Sequence, residues 1–439
     1  MTFLKTPEKI KTVAMILMTV EVLLYAMTER PLDAFSLPLL LVILSLAGGG
    51  LTVYLAFYKS YGSEKTAPPA NTPNAQFFSL AGFAPYWIHL LGILCIGWIV
   101  KGIIKEYPPV LGYSDIIPQV QVLLKRFWAG ELPYQPITEW GWEMFPTYMP
   151  FQWLPFSIPE FLGFDYRYFA LAVWAVITMW IFRSNLFQQS GQASKWLFLI
   201  LPFAYLYGQS HMFNATYEIM IGGYYLFVLY SFRNTSLWVR GIALSVCLLS
   251  RYSLVLFVPF YFVYMLLEEG TNKTLRLGLI MLGMGIVFYV LPFMSRDPLI
   301  FFKSYGYHSF AALGEWQHHQ GMEMPIHLSN KLGMAGYFYK FGSGEVVDRL
   351  RLLQQTHLLL CLLITIGLAG LYYYHKQKGR IQTPILFLIG GFKIYIGIFY
   401  SFIQIPYQYL FTVPVFSTII AILYLGNFCF TPTNTTPRN

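Results

Sequence analysis

The chain has 439 residues, 56% of them hydrophobic and 11% charged, with a formal net charge of +9. Soluble domains carry about 25% charged residues, so this composition excludes an ordinary soluble globular protein. It also turns the positive balance away from nucleic acid, because in a membrane chain Lys and Arg mark cytoplasmic loops and meet anionic lipid.

Apolar runs of about 17 to 21 residues recur along the chain, the length a helix needs to cross the hydrocarbon layer. No water is present there to satisfy a sheet edge, so the spans are expected to be helices. Hydropathy predicts about twelve: 12–28, 37–57, 86–104, 167–183, 196–211, 217–232, 237–250, 252–267, 275–294, 356–374, 383–402 and 407–426. The expected fold class is an all-α polytopic transmembrane protein. The first span has no small-x-small cleavage site after it, so it reads as a retained helix. Its Glu21 is expected to face other helices, and Lys393 in the eleventh span is a candidate partner. The seventh and eighth spans share only the stretch Leu237 to Leu267, with Arg251 at their junction. At about 1.5 Å per residue, two helices in that stretch do not both cross fully.

Residues 1–61 form an N-terminal two-helix extension and 62–85 a cytoplasmic linker, whose part Gly62 to Asn74 is polar, proline-rich and expected to be mobile. Residues 86–430 form the transmembrane core, and 431–439 a tail expected to be disordered. With the N-terminus inside, cytoplasmic segments hold fifteen Lys and Arg residues, and the short outer turns only Arg30 and Arg251. That bias places both termini in the cytoplasm. Two long loops, 105–166 and 295–355, then lie on the outer face and carry twelve of the twenty acidic residues.

In the first loop, Ser114-Asp115 precedes Ile116-Ile117-Pro118. Ile117, Val120, Leu123, Leu124 and Phe127 then recur at helical spacing opposite Lys125-Arg126. The pattern predicts a helix lying in the interface plane. Asp115 has two compatible roles there: an N-cap, or a carboxylate pointing into a cavity at the membrane lip. Tyr148-Met149-Pro150 follows in an aromatic, proline-rich stretch. The fifth span ends Gly208-Gln209-Ser210-His211 and the sixth begins Tyr217-Glu218, which concentrates polar groups at one depth, as a binding region or as a wet helix turn. Arg251 is an ionisable group flanked by apolar sequence, which marks a functional site by default. Its fork suits two phosphate oxygens; the alternative is snorkelling to headgroups. The second loop gathers Tyr305, Tyr307, His308, Glu315, Trp316, His318, His319 and His327, a mixture suited to sugar or headgroup contact. Adjacent histidines such as His318-His319 point apart on a helix, and the four cysteines form no ligand-type pair, so no metal site or cofactor is expected. A divalent metal has no support in the sequence.

Three local patches resemble the GT-C superfamily of integral-membrane glycosyltransferases, and within it the bacterial polyprenol-phosphate-mannose-dependent mannosyltransferases. They are Asp115 with the helix after it and the turn Gly130 to Tyr134; Tyr148-Met149-Pro150 with Pro155; and Gly208-Gln209 with Arg251. The resemblance covers about residues 86 to 267. It departs in having Arg251 where Lys is common, and a lone Asp115 where an acidic pair would support a metal-assisted mechanism. The resemblance implies a GT-C-like fold and transfer of a hexosyl or mannosyl group from a polyprenyl-phosphate donor to a glycan, lipid or protein acceptor. Asp115 would be the catalytic base. Arg251, Gln209, His211, Glu218, Tyr148, His318 and His319 would bind substrate. Two other classes stay open: a transporter or flippase of a lipid-linked or polar solute, and a non-catalytic subunit of a larger membrane complex.

Overall fold

The computed structural model describes residues 6–27, 36–60, 80–319, 321–329 and 332–430. The linker Gly62 to Asn74, the tail 431–439 and Arg30 lie outside the described residues. Helices run in the order α1 (Pro7–Ala26), α2 (Ser36–Leu55), α3 (Leu80–Glu106), α4 (Ile116–Trp128), α5 (Pro150–Trp153) and α6 (Ser157–Leu162). Next come α7 (Tyr166–Arg183), α8 (Asn185–Gln188), α9 (Gln192–Gly208), α10 (Ile219–Ser231), α11 (Leu237–Leu248) and α12 (Val258–Glu269). The last six are α13 (Thr271–Gly285), α14 (Ile300–Gln317), α15 (Ala335–Phe341), α16 (Val346–Gln377), α17 (Pro384–Ser401) and α18 (Thr412–Gly426). Among the described residues there is no β-strand, only two isolated bridges.

A helix occupies every predicted span. Six helical stretches among the described residues are long and apolar enough to cross a membrane: α2, Tyr86–Glu106 of α3, Thr271–Met294, α16, α17 and Gln408–Gly426. A seventh arises if Pro150–Leu162 and Tyr166–Arg183, bent by 115°, form one broken span. The chain is therefore a multi-pass membrane protein built of helices. The stretch Leu237 to Leu267 breaks as its length requires: α11 and α12 have 12 residues each, with a 3-10 turn at Tyr252–Leu254 between them. α13 continues as a π-helix, Ile286–Met294, which contains Pro292. Proline lacks the N–H of a regular ladder, and a widened turn absorbs that loss.

The expected extension is packed into the core. α1 and α2 lie against α17, α18 and α9. Small residues let α2 and α17 approach closely: a Cβ on Gly397 would collide with Ser45, and one on Gly49 with Ile394. Lys393 on α17 donates to both Glu21 oxygens (2.9 and 2.7 Å), to Thr418 Oγ1 (2.8 Å) and to Ser45 Oγ (3.2 Å). Both charged side chains are buried. One ammonium thus ties four helices at membrane depth, and Glu21 is the partner anticipated for it.

Arg167, which sequence pattern alone leaves inside an apolar span, makes a second clamp. Its Nε and Nη2 grip Asp165 (2.8 and 2.7 Å), and Nη1 reaches the Tyr107 and Phe213 carbonyls (2.9 and 3.0 Å). This fixes the end of α3, the start of α7 and the turn after α9 around one fully buried guanidinium.

Candidate functional site

The first loop is organised by α4. Its apolar face, Ile117, Val120, Leu123 and Leu124, is buried in the protein core. The helix therefore docks on its own bundle rather than resting on lipid with that face. α4 ends in a Schellman motif: Glu131 N–H donates to Arg126 O (2.9 Å) and Gly130 takes φ +73°. Arg126 then turns back to the carbonyls of Gln135 (2.6 Å) and Pro136 (3.0 Å) and to Glu139 (3.2 Å). Tyr134, buried, donates to the Tyr148 carbonyl (2.8 Å) and accepts from Trp153 Nε1 (3.1 Å). These bonds fix the backbone that carries Tyr148.

Asp115 holds the N-cap position of α4 but makes no capping bond. Ser114 Oγ accepts from Ile116 N–H instead (3.2 Å). The N-cap reading of Asp115 is corrected accordingly, since its carboxylate is not committed to the helix. It is solvent-accessible by area, yet its carboxyl is raised above the usual range, first by burial, with Glu315 adding to the rise against its own backbone amide.

Arg251 stands at the break between α11 and α12. Its backbone is extended, and its N–H donates to Cys247 O (2.9 Å). Phe151 N–H donates to Leu249 O (2.7 Å), so α5 and the Tyr148 segment are seated against this break. The guanidinium pairs with Glu218, which stands at the start of α10 and whose backbone N–H donates to Thr216 Oγ1 (3.1 Å). Arg251 Nε and Glu218 Oε1 are buried with no partner among the described residues. The pair therefore retains unused hydrogen-bonding capacity, which a ligand can fill.

Tyrosines join the two charged groups. The Tyr148 and Tyr409 hydroxyls lie within the field of both Asp115 and Arg251. Tyr307 and Tyr407 also sense Asp115, and Tyr217 and Tyr400 sense Arg251. α14 is tied to the first loop, with Ser304 donating to Pro146 O (2.8 Å) and Tyr307 to Glu143 O (3.3 Å). His308 on α14 is held below its usual range, first by burial and then by Arg251. Glu315 accepts from Tyr407 (3.1 Å) and stands 3.4 Å from His327 Nε2.

The structure thus brings together Asp115, Tyr148, Glu218 and Arg251. The other sequence candidates stand differently. Gln209 is buried and donates to Tyr25 O (2.9 Å), where a side chain on Gly208 would strike Ala26; this motif docks α1. His211 bonds Gln408 Oε1 (3.0 Å), one residue from Tyr409. His318 lies near His327. His319 is engaged by Tyr339 (3.1 Å) and the Met322 carbonyl (3.2 Å). Glu315 and His308, which the sequence grouped only by loop, enter the site, and so do Tyr407 and Tyr409, for which no sequence signal stood out. Among the described residues no three His, Cys, Asp or Glu side chains gather as metal ligands. No family model, no curated protein and no solved structure matches the chain.

Proposed function

We propose that the chain is a GT-C-like glycosyltransferase of about twelve spans, the short helices included, which moves a sugar from a polyprenyl-phosphate donor to an acceptor at the non-cytoplasmic face. One observation carries this reading: an exposed carboxylate, Asp115, and an incompletely satisfied arginine, Arg251, act on the same two tyrosines, Tyr148 and Tyr409. Arg251 holds the donor phosphate, as a charge-assisted fork does. Asp115 takes the proton from an acceptor hydroxyl as that oxygen attacks the anomeric carbon. The bond from that carbon to phosphate oxygen breaks, and the polyprenyl phosphate leaves with the electron pair. Glu218 orients Arg251, and Tyr148 and Tyr409 supply hydroxyls along the path between the two groups.

A second reading, a transporter of a lipid-linked or polar solute, draws on the bent pair Pro150–Leu162 and Tyr166–Arg183, because discontinuous helices at a polar cavity also serve transport. Proteoliposomes separate the two. Protein incubated with polyprenyl-phosphate mannose and a membrane extract as acceptor source should move the sugar onto acceptor and release polyprenyl phosphate, with product on the face bearing the 105–166 loop. Donor crossing sealed vesicles intact, with no polyprenyl phosphate released, would replace transfer by transport.

A further inference from the structure

We propose that a cleft beside α4 binds the headgroup of an anionic lipid. The cleft measures about 820 Å³, and neither Asp115 nor Arg251 lines it. Gln121, Lys125 and Trp128 line it from the outward face of α4; Gly112, Trp140 and Glu160 complete it. A smaller pocket of about 300 Å³ shares Gln121 and Glu160 with it and extends to Phe164. Glu160 is already engaged by the Tyr166 hydroxyl. Lys125 is exposed, and its side chain has no hydrogen bond or ion pair among the described residues. The cleft therefore offers one uncommitted ammonium with two indole rings. An ammonium binds phosphate as a point charge, and indoles favour the boundary where one end is apolar and the other wet.

The surroundings choose a lipid over a soluble phosphate. α6, which places Glu160 in the cleft, turns Ile158, Phe161 and Leu162 outward, 51%, 84% and 62% exposed. α3 leads directly into the cleft wall at Pro109 and is itself a candidate span with Leu94 and Trp98 uncovered. Contiguous exposed apolar surface of this kind marks membrane contact. A charged head in the cleft with its chains along α6 satisfies both halves, whereas a free phosphate leaves the α6 ridge uncovered.

Native mass spectrometry of the purified full-length protein with phosphatidylglycerol or phosphatidylcholine tests this. Phosphatidylglycerol should be retained in preference. Lys125→Gln should lower its retention about fivefold, the effect of roughly 1 kcal/mol per basic residue near a lipid headgroup. Phe161→Asp should weaken retention of either lipid. Equal retention of the two lipids or an unaffected Lys125→Gln would overturn the proposal. Full displacement by glycerol phosphate would assign the cleft to a free phosphate and overturn it as a lipid site. No sugar donor is present in the experiment, so its failure leaves the transfer reading standing.

Discussion

Asp115→Asn is expected to lower sugar transfer about a hundredfold or more, the usual cost of losing a positioned base, while the protein melts at or above the parent temperature. The two halves have separate causes. Asn cannot accept the proton of an acceptor hydroxyl. Stability is spared because no capping bond is lost: Asp115 makes none, and Ser114 supplies the cap. The carboxyl is also raised in the folded state. Between its unfolded and folded values the native protein binds more protons, so ionisation of Asp115 lowers stability as pH rises. A neutral Asn removes that penalty at neutral pH. The same shift predicts the acid limb of transfer. Activity should fall as pH drops through a value above the ordinary Asp range, because the protonated acid is no base. Near-parental transfer by Asp115→Asn, measured beside its melting curve, would remove Asp115 from the chemistry.

Lys393→Ala is expected to be the most destabilising single substitution in the bundle. It strips both Glu21 oxygens, Ser45 and Thr418 of their shared donor. Breaking a buried pair by removing one partner costs about 3–5 kcal/mol. The double variant Glu21→Gln with Lys393→Met should recover much of that loss, because no lone charge remains at membrane depth. Thermal unfolding in detergent reads both. A Lys393→Ala protein that melts with the parent would mean that the buried pair contributes little to holding α1 and α2 on α17.

Much of this architecture is legible in the sequence, because lipid imposes a single local rule. A backbone in hydrocarbon must satisfy itself, so apolar length alone locates helices, and each predicted segment is helical. Polar residues at membrane depth are similarly conspicuous: Glu21, Lys393 and Arg251 stood out before their partners were known. Asp115 was legible through its place before an amphipathic run. What sequence hides is what gathers around Asp115 and Arg251. Tyr407 and Tyr409 lie between α17 and α18, far along the chain from Asp115, and look like ordinary aromatics of a span end. Glu315 and His308 belonged to a polar loop with no periodicity to say which side chains turn inward. Arg167 and Gln209 show the converse, since their polarity marks points where helices are fastened together.

The most direct test is the affinity of the purified protein for a polyprenyl-phosphate sugar, titrated against the parent and Arg251→Ala with folding checked in parallel. Loss of the charge-assisted contact should weaken binding by more than about 1.5 kcal/mol, roughly tenfold or more. Arg251→Lys should retain part of the affinity, because the positive charge remains beside Glu218. Unchanged affinity in a folded Arg251→Ala protein would contradict a donor phosphate held by Arg251.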